Sequence, residues 1–509
     1  MVNKSAAWLV GVTLMLVLIP ATPVLAVPEP SASIPPTNAT GMQSGARSCD
    51  DGICVVAGAT WDANLPAVVT GDILDVTASG AIVWGEVTGD GCASVTERGA
   101  VYSTHTDPTV STGVTAIAVE PGIGAYTATL SSLVPGTPYY VRAYAKNASG
   151  TAYGSTRIFT TPSKVATVAV GALPLAMASN QKTNRVYVAN NIGNSVSVID
   201  GASDAIVATI PVQKAPYGVA VNEVTNRIYV TNNYSNTVSV IDGGTNQVVT
   251  TIPAGSAARA VAVNDRTNRV YVTNFMAASV SVIDGGTNLV LATVSVGARP
   301  ISLAINKTTN KIYVANYYGD SVTVIDGADN SVDATIPVGS SPRFIELNAT
   351  TNKLYVADYR NAAVTVIDGR DNSVQTVAVG GYPWSAAVND RTNTIYVPNG
   401  ENVVILNGAT NAMQSVTAGR APQAVSANED TNQVFVGNYN HDDRSAAGFV
   451  VTQIDGATLA KAGLAVSSNP AELLVSERAN KLYVINGDSV TIFSFAAPAF
   501  ARFLPLLLR

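Results

Sequence analysis

An all-β chain, most of it built from one small sheet repeated many times, is what this sequence predicts, on three grounds. The stretch R-I-Y-V-T-N at 227–232 has the apolar alternation of a half-buried strand, and its copies centre on Tyr187, Tyr229, Tyr271, Tyr313, Tyr355, Tyr396, Phe435 and Tyr483, at separations of 42, 42, 42, 42, 41, 39 and 48 residues. Each period also holds four short apolar runs, which in the second repeat are 217–222, 227–231, 237–242 and 248–254, joined by turn-rich stretches such as Asp242-Gly243-Gly244-Thr245-Asn246. Finally, V-A-T-V-A-V at 165–170 matches the fourth run of a period, whereas the last period supplies only three runs, at 471–476, 481–485 and 489–494. Four antiparallel strands per period of this length make a propeller blade. One strand from the start and three from the end complete a single sheet, which closes the ring without open edges. Eight copies favour eight blades; if the 48-residue spacing of the seventh repeat marks a unit that forms no blade, the count is seven.

The motifs R-V-Y-V-A-N, S-V-S-V-I-D-G and V-A-T-I-P-V carry a resemblance to the YVTN-repeat β-propellers of bacterial and archaeal surface-layer-type proteins, over residues 165–495. The resemblance implies the fold, commonly with seven blades. It implies little about activity, because propellers host many unrelated functions.

The rest of the chain is read in order. Residues 1–26 have the form of a cleaved secretory signal: Lys4, an apolar segment over 6–19 too short to span a bilayer, then Val24-Leu25-Ala26. Residues 27–64 form a Pro-, Ser- and Thr-rich linker that ends with Cys49 and Cys54. With Cys92 there are three cysteines and three single pairings; a short Cys49–Cys54 bridge suits an exported protein. Residues 65–160 hold strand-like runs at 81–87, 95–103, 125–130, 139–146 and 151–160, and this stretch resembles a fibronectin type III module. The resemblance rests on Trp84, at the place of the family's core tryptophan, and on L-V-P-G-T-P-Y at 133–139, where Tyr139 matches its tyrosine corner. It implies a spacer. Residues 161–164 are too few for a flexible hinge, so module and propeller should touch. The apolar tail 496–509 is too short to cross a membrane and is read as packed on the propeller or used for envelope attachment.

The inventory for chemistry is thin. Charged residues make up 13% of the chain and the net charge is -6, which gives no basic footprint for nucleic acid. The only histidines are His105 and His441, and the propeller has no Cys, so no cofactor is expected there. A weak cation candidate is His441-Asp442-Asp443, in the one clear insertion; a solvated loop is the plainer reading. Asp200, Asp242, Asp284, Asp326, Asp368 and Asp455 suggest a carboxylate ring, but each precedes a Gly at a strand-three to strand-four turn. They are read as turn residues that accept backbone N–H bonds, with the Gly taking positive φ. The Thr-Asn pairs, such as Thr225-Asn226, are read the same way.

Blade geometry sorts the remaining candidates. The one-to-two and three-to-four turns share one face of the ring, and that face is monotonous. The other face varies: the links between blades bring Tyr217, Arg259, Arg299, Arg343, Tyr382, Trp384 and Arg420, and the loops after strand two bring Tyr234, Phe275, Tyr317, Tyr318, Tyr359, Arg360 and Tyr439. Aromatic and Arg side chains are the types enriched at recognition hot spots. For the second group, packing between blades is an equally good reading. The expected function is an exported, cell-surface, non-catalytic protein whose variable face binds a protein or a glycan. Two alternatives are a lyase- or lactonase-type propeller with a divalent cation at the channel mouth, and a surface-lattice component.

Overall fold

The computed structural model describes residues 48–50, 53–56, 59–62, 65–74, 76–112, 115–439 and 449–495. The described residues contain strands and no helix. Ser48–Asp50, Ile53–Val56 and Ala59–Asp62 form a small antiparallel sheet in which Cys49 and Cys54 stand opposite each other in register. Cys92 is disulfide-bonded. The signal segment, most of the linker, the His441 loop and the apolar tail lie outside the described residues.

Two sheets then pack face to face. Ala67–Leu74, Gly80–Gly89 and Gly124–Ser131 make one; Glu97–Ser103, Thr115–Val119, Pro138–Asn147, Gly150–Tyr153 and Arg157–Thr160 make the other. Their core holds Val83, Ala128, Leu130, Val141 and Phe159. Tyr139 stacks on Phe159 at 5.7 Å between ring centroids, and its hydroxyl accepts the Val134 N–H at 3.0 Å. Trp84 is not in this core. The strand alternates, with Ala81, Val83, Gly85 and Val87 buried, so Trp84 falls on the opposite, half-buried face beside Gly71, where a β-carbon would lie 1.8 Å from the indole. Tyr126 instead covers Gly85 on the core side. The sandwich and the repeats touch: Val76 donates to the Lys461 carbonyl at 3.1 Å and accepts from the Gly463 N–H at 3.0 Å.

The repeats form eight four-stranded antiparallel sheets, the architecture of a β-propeller. In order they span 174–211, 216–253, 258–295, 300–337, 342–378, 387–417, 422–466, and finally 470–494 with Ser163–Ala169 as outer strand. In the last sheet Ser163–Ala169 pairs antiparallel with Ser489–Ser494, and Thr167 faces Thr491. The first strands adjoin one another in sequence and the last adjoins the first, so they enclose a central channel. The seventh repeat forms a full sheet. The irregular one is the sixth, whose first strand shrinks to Ala387–Asn389 after Gly380 and Gly381, both at positive φ.

Side chains between neighbouring sheets explain the repeat sequence. The motif Tyr is fully buried in the core between neighbouring sheets: Tyr229 shares one cluster with Val270, Val272 and Ile283 of the next sheet. The Asn that ends a first strand reaches the turn Asn of the next sheet: Asn180 donates to Asn226 at 2.9 Å, Asn222 to Asn268 at 2.9 Å and Asn264 to Asn310 at 2.8 Å. Those turn Asn residues hold the positive φ, 54° at Asn226 and 52° at Asn268, a conformation Asn tolerates well. The Gly after each turn Asp does not adopt it. Gly243 is required for another reason: a β-carbon there would lie 2.3 Å from Asn226 Oδ1. The turn Asp residues do accept backbone N–H groups, as Asp242 Oδ1 does from Gly244 at 2.8 Å and Thr245 at 2.9 Å. These bonds, that of Thr245 first, hold the Asp242 carboxyl below its ordinary range.

Candidate aromatic and arginine mouth of the channel

The second residue of each first strand points toward one end of the channel. In the second, third and fifth sheets that residue is Tyr217, Arg259 and Arg343; in the sixth, Trp384 follows Pro383 at the matching place of the repeat, three residues ahead of the shortened strand Ala387–Asn389. They do not stand separately. Arg259 Nη2 donates to the Tyr217 hydroxyl at 2.6 Å, and its guanidinium carbon lies 4.5 Å from the Tyr217 ring centroid and 4.9 Å from that of Phe275. The Arg299 guanidinium carbon also lies 4.9 Å from the Phe275 ring centroid and 6.0 Å from that of Tyr318, while its guanidinium touches the Met276 sulfur. Arg343 lies 3.9 Å over Trp384 and 5.9 Å from Tyr359, and Tyr359 packs against both Trp384 at 5.2 Å and Tyr382 at 5.3 Å. Tyr317 and Tyr318 pair at 5.1 Å. The loops after strand two and the links between sheets thus converge on one mouth, and the aromatic residues of both groups serve as platforms for guanidinium groups.

Among the described residues no carboxylate forms an ion pair with Arg259, Arg299 or Arg343. Burial, and then the neighbouring Arg259 charge, press the Arg343 guanidinium below its ordinary proton affinity. Tyr318 and Tyr382 are 60% and 61% exposed, so they project beyond the stacked core of the mouth. Tyr234 is 74% exposed and stands apart from the stacks, Arg420 and Arg360 are exposed, and Tyr439 is half-buried.

Acidic groups gather toward the opposite mouth. Glu223, Asp265, Asp390, Glu429 and Glu477 each follow the last residue of a first strand, which is Asn in all of these except Ser476. Several tie one sheet to its neighbour: Glu223 accepts the Gln181 N–H at 2.6 Å, Asp390 the Ala349 N–H at 3.2 Å, and Glu477 the Glu429 N–H at 3.2 Å. Lys307 interrupts the series and pairs with Asp265 at 3.0 Å. Within the channel Glu346 stands where other first strands have Ala220, Ala262 and Ala304, and burial, with Asp390 and Glu429 adding to it, pushes its carboxyl up to about 8. Glu472 stands where others have Ala176, Gly218 and Ala260, and burial lifts it to about 7. Sequence reading missed both; the available signal was an acid replacing a small residue at one fixed place in the repeat. A cleft of about 590 Å³ lies elsewhere, in the seam between sandwich and seventh sheet, lined by Ile73, Ile158, Phe159 and Ala462.

No group of three or more His, Cys, Asp or Glu side chains among the described residues is arranged to hold a metal ion; the candidate His441, Asp442 and Asp443 lie outside them. No helix among the described residues is long and apolar enough to cross a membrane. The chain matches no protein-family model, and no curated protein matches it. Among solved structures it is similar to Kuenenia stuttgartiensis hydrazine synthase at 16% identity, over 64% of this chain and 96% of that one, with a TM-score of 0.47.

Proposed function

We propose that the protein is an exported, cell-surface, non-catalytic recognition protein, an eight-bladed propeller of the YVTN-repeat kind held away from its attachment by a fibronectin type III-like spacer. The observation that carries the reading is the mouth itself. Three arginines, stacked on Tyr217, Phe275, Tyr318 and Trp384 and without a carboxylate partner among the described residues, are concentrated on the variable face of an otherwise monotonous ring. Aromatic and Arg anchors in a partly desolvated recess are what a binding hot spot requires. The eight sheets and the contact between first and last support the blade count. The strand order of the sandwich and the Tyr139 to Val134 bond support the spacer assignment. The partner is a protein or a glycan outside the cell.

The test is capture from envelope and extracellular-matrix extracts with the full chain beside a variant carrying Tyr217→Ala, Arg343→Ala and Trp384→Ala, the two matched by melting temperature. A partner retained by the parent and lost by the variant supports recognition by this mouth. Equal retention by both places binding elsewhere and overturns the assignment.

A further inference from the structure

The chemistry of the ligand can be narrowed further, on the reading that this mouth is a recognition surface. We propose that the mouth binds an acidic sugar chain, whose carboxylate or sulfate group is held by Arg259 and Arg343 while its sugar rings lie along the exposed tyrosines of the rim.

An anion is the group this mouth lacks. Arg227, Arg370 and Arg391 all meet aspartates, Asp242, Asp368 and Asp430, on the opposite face. Arg343, by contrast, donates no hydrogen bond to any described group. A guanidinium has five N–H donors in its own plane, and those of Arg343 meet no described acceptor, so they are open to an arriving anion. The Arg343 guanidinium carbon lies 3.9 Å from the Trp384 ring centroid, a contact that holds the group in place at the mouth. The Arg259 guanidinium lies between Tyr217 and Phe275 and is further fixed by its bond to the Tyr217 hydroxyl. Such fixed forks suit the bidentate geometry of a carboxylate or sulfate. Burial first, and the Arg259 charge second, disfavour the Arg343 cation, and an oxyanion arriving at the mouth offsets both. The acids at the other end of the channel favour the arginine end for an anion.

A sugar fits the rest of the rim better than an acidic peptide does. Tyr318 and Tyr382 present uncharged, exposed rings just outside the arginine cluster, and the apolar C–H faces of sugars lie on such rings.

The test uses the full chain and three matched probes followed by calorimetry: tetragalacturonate, its fully methyl-esterified and hence uncharged form, and a tetra-aspartate peptide. A sulfated disaccharide repeat oligomer serves as the second acidic sugar. The expected result is binding of at least one acidic sugar, ten-fold or more weaker for the methyl ester and for tetra-aspartate, and weakened by raising the salt from about 50 to about 300 mM. Arg343→Gln should reduce acidic-sugar affinity by ten-fold or more, and Arg343→Lys should restore only a fraction of it, because charge returns without the planar fork. Arg259→Gln is the second variant, and both are compared by melting temperature with the parent. Equal binding of the methyl ester overturns the anion while leaving recognition at this mouth intact. Tetra-aspartate binding as tight as the best sugar overturns the sugar in favour of an acidic peptide. Binding of no acidic sugar overturns the inference, and the extract capture then decides separately whether the mouth recognises anything.

Discussion

Asp358 offers a sharp test of how the repeat is held together. In the other sheets this position is Asn, buried between strands; Asn232, for example, donates to Thr237 Oγ1 at 3.1 Å and to Ser239 Oγ at 2.9 Å. The fifth sheet has Asp358 there and Ala363 in place of the first hydroxyl, so only Thr365 remains, donating to Asp358 Oδ2 at 2.5 Å. Asp358 is fully buried, and burial raises its carboxyl from 3.8 to about 7. A carboxyl that holds its proton more tightly when folded loses stability as pH rises from its unfolded value through its folded one. At 1.36 kcal/mol per pH unit the gap is worth about 4 kcal/mol, fully felt above about pH 7 and absent below about pH 4. With an unfolding entropy of ~2.1 cal/mol/K per residue over the ring, that corresponds to a melting shift of about 6 °C. Asp358→Asn is nearly isosteric and restores the amide seen in the other sheets. Its melting temperature should exceed that of the parent by several degrees at pH 8.5, and the difference should shrink steadily toward pH 4.5. A difference that stays constant across that range would refute the assignment of the titration to Asp358.

Three further perturbations follow from the packing. Deleting 165–170 removes most of the outer strand of the closing sheet and should lower the unfolding midpoint by several kcal/mol, given the lost strand pairs from Ala166 to Ala169 at ~1 kcal/mol each; an unchanged midpoint in urea would rule out closure through this strand. Asn226→Ala forces a β-carbon residue to keep φ near 54° and deletes the acceptor for Asn180, at about 2 kcal/mol together, whereas Asn226→Gly should recover roughly half by relieving the backbone. Phe435 is the one motif residue without a hydroxyl, and its ring lies 4.9 Å from Phe495, where the sixth and seventh sheets instead have Gly408 and Gly456 against the Tyr355 and Tyr396 hydroxyls. Phe435→Tyr should therefore cost about 1–3 kcal/mol by overpacking, measurable by thermal unfolding, and a neutral effect would show that the Gly positions are not there for the hydroxyls.

The period, the strands and the closing pair were legible because each leaves a local mark: alternation within a strand, turn residues between strands, and a fixed distance to the next copy. The reason for Gly243 was not. Its constraint comes from Asn226, on a different turn of the same sheet, and nothing in the run Asp242-Gly243-Gly244 records that approach. Trp84 was misassigned although the signal was present. It shares its strand face with Glu86, and period-two parity alone puts the pair opposite Val83 and Val87. For the site, strand connectivity was enough to assign Tyr217, Arg259, Arg343 and Trp384 to one end of the channel. That the arginines lie on the rings of neighbouring sheets depends on side-chain reach across the mouth, which a linear pattern does not encode. Glu346 and Glu472 are departures from the repeat, and a pattern found by recurrence passes over what occurs once.

The closing pair also sets how the molecule would respond to tension. Ser163 and Ser494 stand opposite each other at one end of that pair. A pull applied between the sandwich and the chain beyond the last strand therefore loads the pair at a single end, and its bonds break in succession instead of sharing the load. The Val76 bonds to Lys461 and Gly463 give the sandwich a second hold on the ring, away from that seam. Because the sandwich runs straight into Ser163–Ala169, force entering through the N-terminal half is divided between that strand and the Val76 hold on the seventh sheet, so the junction takes part of the load off the pair that keeps the ring shut.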